Sequence, residues 1–181
     1  MLQFNVSQLL LAPQGTRRHW TFDEDAAALQ EPSIVGRVTG EVTFTRTQRG
    51  LLADCQFATT LALECGRCLE PATVPISGQF QEEFVQAVDV RSGAPLAESP
   101  DADAFTIDEN HGLDLGEAIR QSVLMATPLQ PLCRPDCRGL CMRCGQNLNE
   151  QACACEPSLA DSPFYALQNL LKPTDERTPP A

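Results

Sequence analysis

Val35-Gly-Arg-Val38-Thr-Gly-Glu-Val42-Thr-Phe44-Thr-Arg-Thr47, then Gln48-Arg49-Gly50, then Leu51 to Leu63: this stretch decides the fold class of the 181-residue chain. Val38, Val42 and Phe44 are separated by even numbers of residues, as one buried face of a pleated strand requires, and Gln48-Arg49-Gly50 supplies a turn. Leu51 to Leu63 returns rich in Leu, Phe and Thr. Glu64 to Pro71 forms a second turn, and Thr73 to Val85 carries Val74, Ile76, Phe80 and Phe84 as a third strand. Towards the N-terminus, Leu2-Gln3-Phe4-Asn5-Val6 repeats the period of two, so residues from Met1 to about Gln86 read as an antiparallel meander.

Working outward in the other direction, Asp114-Leu115-Gly116-Glu117 sets a capping side chain three residues before a glutamate. Leu115, Ala118, Ile119, Val123 and Ala126 follow at helical spacing. A helix from about Leu115 to Met125, stopped near Pro128, is expected, and Ser162-Pro163 opens a second, short helix from about Phe164 to Leu171. The fold class is therefore α+β: an antiparallel sheet, two helices and a cysteine-rich C-terminal segment. We expect a sheet-and-helix body at 1–130 with an acidic loop at 92–104, a cysteine-rich segment with the terminal helix at 131–172, and a flexible tail at 173–181.

Charge bounds the partners. With 24 acidic and 13 basic side chains the chain carries -11, which disfavours binding held mainly by phosphate neutralisation. Glu82 to Glu117 alone holds ten acids and one Arg, or -9, so the remaining body is nearly neutral and local fields count for more than the sum. No run approaches the roughly 18 apolar residues of a membrane span, and Met1 to Leu11 lacks the charged start and apolar stretch of a leader. These features predict an unprocessed cytoplasmic protein without a membrane partner.

Nine cysteines are present in a chain too long to be a small disulfide-stapled module, so metal binding is the first expectation. Eight fall into close pairs, Cys65/Cys68, Cys133/Cys137, Cys141/Cys144 and Cys153/Cys155, while Cys55 stands alone in a strand as a small core residue. A pair of thiolates two to four residues apart can take two corners of a zinc tetrahedron, and two pairs close a structural site with no open position. In Cys141-Met-Arg-Cys144-Gly145 the glycine permits the tight turn of a knuckle. The simplest division joins Cys141/Cys144 to Cys153/Cys155 and Cys65/Cys68 to Cys133/Cys137. A rival division joins Cys133/Cys137 to Cys141/Cys144 and leaves the other pairs reduced or empty. One or two structural Zn²⁺ ions are thus expected, two being the simpler arithmetic, with zinc ahead of an iron–sulfur cluster.

Other chemistry is thin. His19 and His111 have no ligand-like spacing, Asp114 and Glu117 are explained by helix capping, and there is no glycine-rich phosphate loop. Arg134, Arg138 and Arg143 interleave with the cysteines against Asp136 alone, offering contact to RNA or a partner, or else balancing thiolate charge. A thioredoxin-like role for Cys65/Cys68 would need a helix start in a βαβ unit, which the flanking strands do not provide.

Cys133-Arg-Pro-Asp-Cys137-Arg-Gly-Leu-Cys141-Met-Arg-Cys144-Gly-Gln-Asn-Leu-Asn149, followed by Cys153-Ala-Cys155, resembles the signature of the bacterial YceD family. Glu64-Cys65-Gly-Arg-Cys68-Leu69, the Asp114-Leu115 helix leading to Pro128-Leu129, and the Pro163-Phe164 helix are similar to its other landmarks, in the same order, so the likeness runs from about Val35 to Lys172. The resemblance implies a role in accumulation of large-subunit ribosomal RNA through its synthesis, processing or stability, and brings no catalytic residue with it. Some members lack the Cys141/Cys144 and Cys153/Cys155 pairs, which by analogy supports the two-site division. The resulting expectation is a non-enzymatic factor in large ribosomal subunit biogenesis whose partner is a ribosomal precursor, a basic ribosomal protein or an RNA-processing enzyme. The alternative is an acidic adaptor docking on such a protein without direct RNA contact.

Overall fold

The computed structural model describes residues 2–96 and 104–155, together with Phe164, Tyr165 and Leu167. The chain divides into two compact units, Met1–Cys137 and Arg138–Ala181. In the first unit the strands are β1 (Gln3–Asn5), β2 (Arg17–Glu24), β3 (Val38–Arg46), β4 (Gly50–Glu64), β5 (Pro71–Gln86), β6 (Phe105–Ile107) and β7 (Gly112–Asp114). Helix α1 covers Ser7–Leu10, α2 covers Gly116–Ala126, and a 3-10 turn covers Ala26–Leu29.

The quoted stretch folds as its alternation demands. Leu51, Ala53, Cys55, Phe57, Thr59 and Leu61 of β4 are buried, and antiparallel pairing sets Val42 opposite Cys55 and Phe44 opposite Ala53, so one face of β3 and β4 is continuous core. Five strands form one sheet in the order β2-β3-β4-β5-β6. β1 and β7 make a separate two-stranded ribbon that brings Leu2, Val6, Leu113 and Leu115 into the core. Phe4 and Trp20 meet Phe44 edge-on at 5.6 and 5.2 Å between ring centroids. Helix α2 buries Ala118, Ile119 and Val123 and ends where Thr127 turns extended ahead of Pro128.

The α+β class stands, with four changes of detail. The sheet is mixed, because β6 pairs parallel with β5 at Phe84↔Phe105 to Gln86↔Ile107. The N-terminal alternation stops at Val6, and α1 follows, burying Leu9 and Leu10. No capping box forms on α2: the Asp114 carboxylate accepts from Gly116 N–H at 2.8 Å, while Glu117 accepts from Arg120 and Gln121 one turn on. The opening of the expected acidic loop is ordered. The Asp89 carboxylate accepts from Arg91 and Ser92 backbone N–H groups, and Pro95 bridges to Val88. The rest of that loop, 97–103, most of the expected terminal helix Phe164 to Leu171 and the whole tail lie outside the described residues. Among the described residues no helix is long and apolar enough to cross a membrane.

Candidate metal centres

The turn between β4 and β5 is a knuckle. Cys65 N–H donates to Glu70 O at 2.9 Å and Leu69 N–H donates back to Cys65 O at 3.0 Å, which folds Cys65-Gly-Arg-Cys68 so that both thiols lie on one side. Closing it requires φ of +64° at Leu69, a conformation that costs a β-carbon-bearing residue about 1–2 kcal/mol. The same turn recurs in the second unit. Cys141 N–H donates to Gln146 O at 2.8 Å, Gly145 N–H donates to Cys141 O at 2.9 Å, and Gly145 takes φ of +71°.

In the first unit, Gly66 N–H donates to Pro131 O at 2.8 Å and Arg67 Nη1 donates to Cys137 O at 2.9 Å, fastening the knuckle to the segment after α2. The four sulfurs of Cys65, Cys68, Cys133 and Cys137 then lie within 4.8 Å of one another. Cys65 Sγ is 3.8 Å from Cys137 Sγ and Cys68 Sγ is 3.6 Å from Cys133 Sγ. A disulfide holds sulfurs at about 2.05 Å, whereas the edge of a tetrahedron around zinc with bonds of about 2.3 Å is about 3.8 Å. The donor set fits zinc. Cys65, Cys68 and Cys137 are buried and Cys133 is exposed.

The second unit repeats the constellation. Cys141, Cys144, Cys153 and Cys155 also place their sulfurs within 4.8 Å of one another, with Cys144 exposed and the others half-buried. Leu140 bridges to Asn147, and the Asn149 side chain accepts from Arg138 N–H at 2.8 Å and donates to Asn147 Oδ1. The pairing is the simplest division read from the spacing. The rival combination, Cys133/Cys137 with Cys141/Cys144, is not what the fold assembles.

Each cluster holds one thiol ready to ionise. Backbone N–H groups of Cys68, Arg67 and Cys133 hold Cys65 down at about 6, and those of Cys144 and Arg143 do the same for Cys141, also about 6. Burial first, and then Cys68, push Cys133 up to about 12; the neighbouring Cys144 thiol, then burial, push Cys155 up to about 12. Four thiols so close cannot all ionise without a cation among them, and a dication would reverse that balance. Cys55, fully buried in β4 and in neither cluster, is pushed up to about 12 by burial.

Arg134, Arg138 and Arg143 are all exposed, and Arg134 lies 3.6 Å from Asp136. Sequence reasoning passed over Arg67, Asn147 and Asn149, which order the clusters. The asparagines follow a knuckle in a polar run, a signal for side-chain-to-backbone turns. Nothing in its residue type marks Leu69 as left-handed.

A mixed sheet backed by a helix, with eight thiols gathered into two sets of four that could each hold a metal ion, makes this an α+β protein with paired cysteine clusters. The chain belongs to the family described as Large ribosomal RNA subunit accumulation protein YceD, whose model matches residues 53–171 and so takes in all eight clustered cysteines. Among its relatives is the Large ribosomal RNA subunit accumulation protein YCED homolog 1, chloroplastic, of Zea mays, 32% identical over 76% of this chain and 53% of that protein. The Arabidopsis thaliana protein of the same name is 27% identical over 71% of this chain and 47% of its own length. An uncharacterized protein of Mycobacterium tuberculosis is 32% identical over 53% of this chain and 44% of its own. The chain thus spans about half the length of the relatives it matches. No solved structure matches it significantly.

Proposed function

We propose that this protein is a non-enzymatic, zinc-structured factor supporting accumulation of large-subunit ribosomal RNA, acting in the cytoplasm through a ribosomal precursor, a basic ribosomal protein or an RNA-processing enzyme. The observation that carries the reading is the family match over residues 53–171, which includes every residue of both clusters. Chemistry supports the non-enzymatic part. Cys65, Cys68, Cys133 and Cys137 would hold one Zn²⁺ and Cys141, Cys144, Cys153 and Cys155 another, and four thiolates leave zinc no position for substrate or water. The ions would supply folding energy, fixing the segment after α2 to the β4–β5 turn in the first unit and ordering the 139–148 turn in the second.

Depletion of the protein in its own host tests the proposal. The ratio of large- to small-subunit ribosomal RNA should fall, and the wild-type gene should restore it while a Cys65→Ser, Cys68→Ser variant should not. An unchanged ratio on depletion refutes the reading.

The adaptor reading is favoured by charge. Glu82 and Glu109 are exposed on the acidic stretch, where a negative field attracts basic proteins and repels bare RNA. Part of that charge is engaged internally: Glu83 pairs with Arg49 and Glu117 with Arg120, while Asp89, Asp108 and Asp114 accept from the backbone N–H groups of Ser92, Gly112 and Gly116. Salt-dependent binding of the full chain to a basic ribosomal protein, with none to ribosomal RNA, is the result this reading requires.

A further inference from the structure

Strand β2 ends the five-stranded sheet, paired along all eight residues with β3 and, among the described residues, with no strand on its far side. An open edge presents a row of unpaired N–H and C=O groups, a template for another strand, and natural edges are commonly blunted by proline, by a bulge or by shortness. β2 has none of these. It contains no proline, and its register with β3 runs without a slip from Arg17↔Thr45 to Glu24↔Val38. Arg17, Arg18, His19, Thr21 and Asp23 are exposed.

Charge, the other usual guard of an edge, is present in a particular order. Arg17-Arg18-His19-Trp20-Thr21-Phe22-Asp23-Glu24-Asp25 reads as three basic residues, three uncharged ones and three acids. Asp25 continues the extended backbone at φ -71° and ψ 149°. When a second copy of this segment is laid antiparallel about Thr21, Arg17 faces Asp25, Arg18 faces Glu24, His19 faces Asp23 and Trp20 faces Phe22. A parallel copy sets like charges side by side, so the pattern selects one orientation. The register also respects the pleat. Facing residues differ by even numbers, so both members of each pair project from the same side of the sheet. Trp20, packed on Phe44, and the buried Phe22 therefore stay on the core side in both copies.

We infer that β2 is a dimerisation edge: a second copy of this chain pairs antiparallel with it about a two-fold axis through Thr21, making one sheet across both copies. Within one copy the same side chains have exposed partners. Arg37 holds the Asp23 carboxylate and carbonyl, Arg18 Nη1 donates to Gln8 Oε1 at 3.2 Å, and His19 Nε2 lies 3.7 Å from Glu41. Arg37 and Asp23 are 59% and 61% exposed, so that pair is screened by water and the partner copy's charge adds to it rather than competing with a buried bond.

Sedimentation of the full chain over a concentration series at low salt should show a monomer–dimer equilibrium that weakens as salt is added. Arg18→Glu and Glu24→Arg should each lower the association constant about tenfold or more, because two-fold symmetry doubles every change. An equimolar mixture of the two variants should associate again, since each reversed charge then meets the other. Should a variant fail to fold, amide exchange on the wild-type chain still decides: amides of Arg17 to Glu24 that point away from β3 should gain protection as concentration rises. A monomer at every concentration with those amides unprotected overturns the inference, and so does a dimer indifferent to both variants.

Discussion

Substituting Gly145 by alanine isolates the energetic role of the knuckle turn. A β-carbon built on Gly145 meets no atom within 4 Å, so packing contributes nothing and the whole effect is conformational. Holding an L-residue at φ of +71° costs about 1–2 kcal/mol, and alanine returns about 0.4–1 kcal/mol by restricting the unfolded chain. The net destabilisation is about 1 kcal/mol, or roughly fivefold in an equilibrium constant. Because turn closure and ligation are one event in such a site, this loss should appear as roughly fivefold weaker zinc affinity at the second cluster. Gly66→Ala is the control, since its β-carbon would meet Pro131 O at 3.6 Å and Gln130 at 3.8 and 3.9 Å, ordinary contacts. Gly66 is also not among the positive-φ glycines. Titration of the zinc-loaded chain with a chromophoric chelator reads both sites. Equal affinities for wild type and Gly145→Ala, or an equal loss with Gly66→Ala, would refute the reasoning.

Three further outcomes are expected. Metal analysis should find two zinc equivalents per chain, and chelation should be biphasic, the half-buried second cluster emptying before the first, where three of four ligands are buried; a single phase, or one equivalent, rejects the two-site assignment. Thr59 is 5% exposed and its Oγ1 has no hydrogen-bond partner among the described residues, so Thr59→Val should raise stability by about 1 kcal/mol and the Tm by about 2–4 °C, read by calorimetry; a lower Tm would show the hydroxyl to be satisfied. Arg120 and then Gln121 hold the Glu117 carboxyl down at about 2, below its ordinary 4.5, so its contribution is full above pH 4.5 and is lost as pH falls through about 2. Both side chains of the Glu117–Arg120 pair are well solvated, and Glu117→Gln should therefore cost only ~0.2–1 kcal/mol at neutral pH, with the two melting curves merging near pH 2; a difference persisting in acid would point to packing instead.

The parts of this fold that could be read from sequence are those in which one residue type recurs often enough to define a face. Val38, Val42 and Phe44 against Leu51, Ala53 and Cys55 specify β3, β4 and their shared buried side, because slipping the register by one residue would expose all six. Three-residue strands carry no such period. Phe105-Thr-Ile107 and Gly112-Leu-Asp114 find their places only through partners distant in sequence, Phe84 to Gln86 and Gln3 to Asn5, and the parallel sense of β6 follows from a connection that local pattern does not encode. Asp114 and Glu117 show a different limit, since the spacing suits a capping box but Arg120, one turn ahead, competes successfully for the glutamate. At the clusters, spacing made the four close pairs legible, because a spacer of one to three residues fixes the bite of each pair, but it left open which pairs combine, and the fold supplies that. Leu69 was illegible, since its residue type argues against the conformation that the turn imposes.

The first cluster also imposes an order on synthesis. Cys65 and Cys68 are translated before β5, β6, β7 and α2, and Cys133 and Cys137 only after all four elements have been made. The long β4–β5 hairpin can form in the meantime, but its tip waits with two thiols lacking their complement. With zinc closing the finished cluster as proposed, that interval would be when the chain is most open to oxidation or to capture of the wrong metal. A cell short of zinc or under thiol stress should therefore lose this protein first from its nascent pool, while molecules already complete persist.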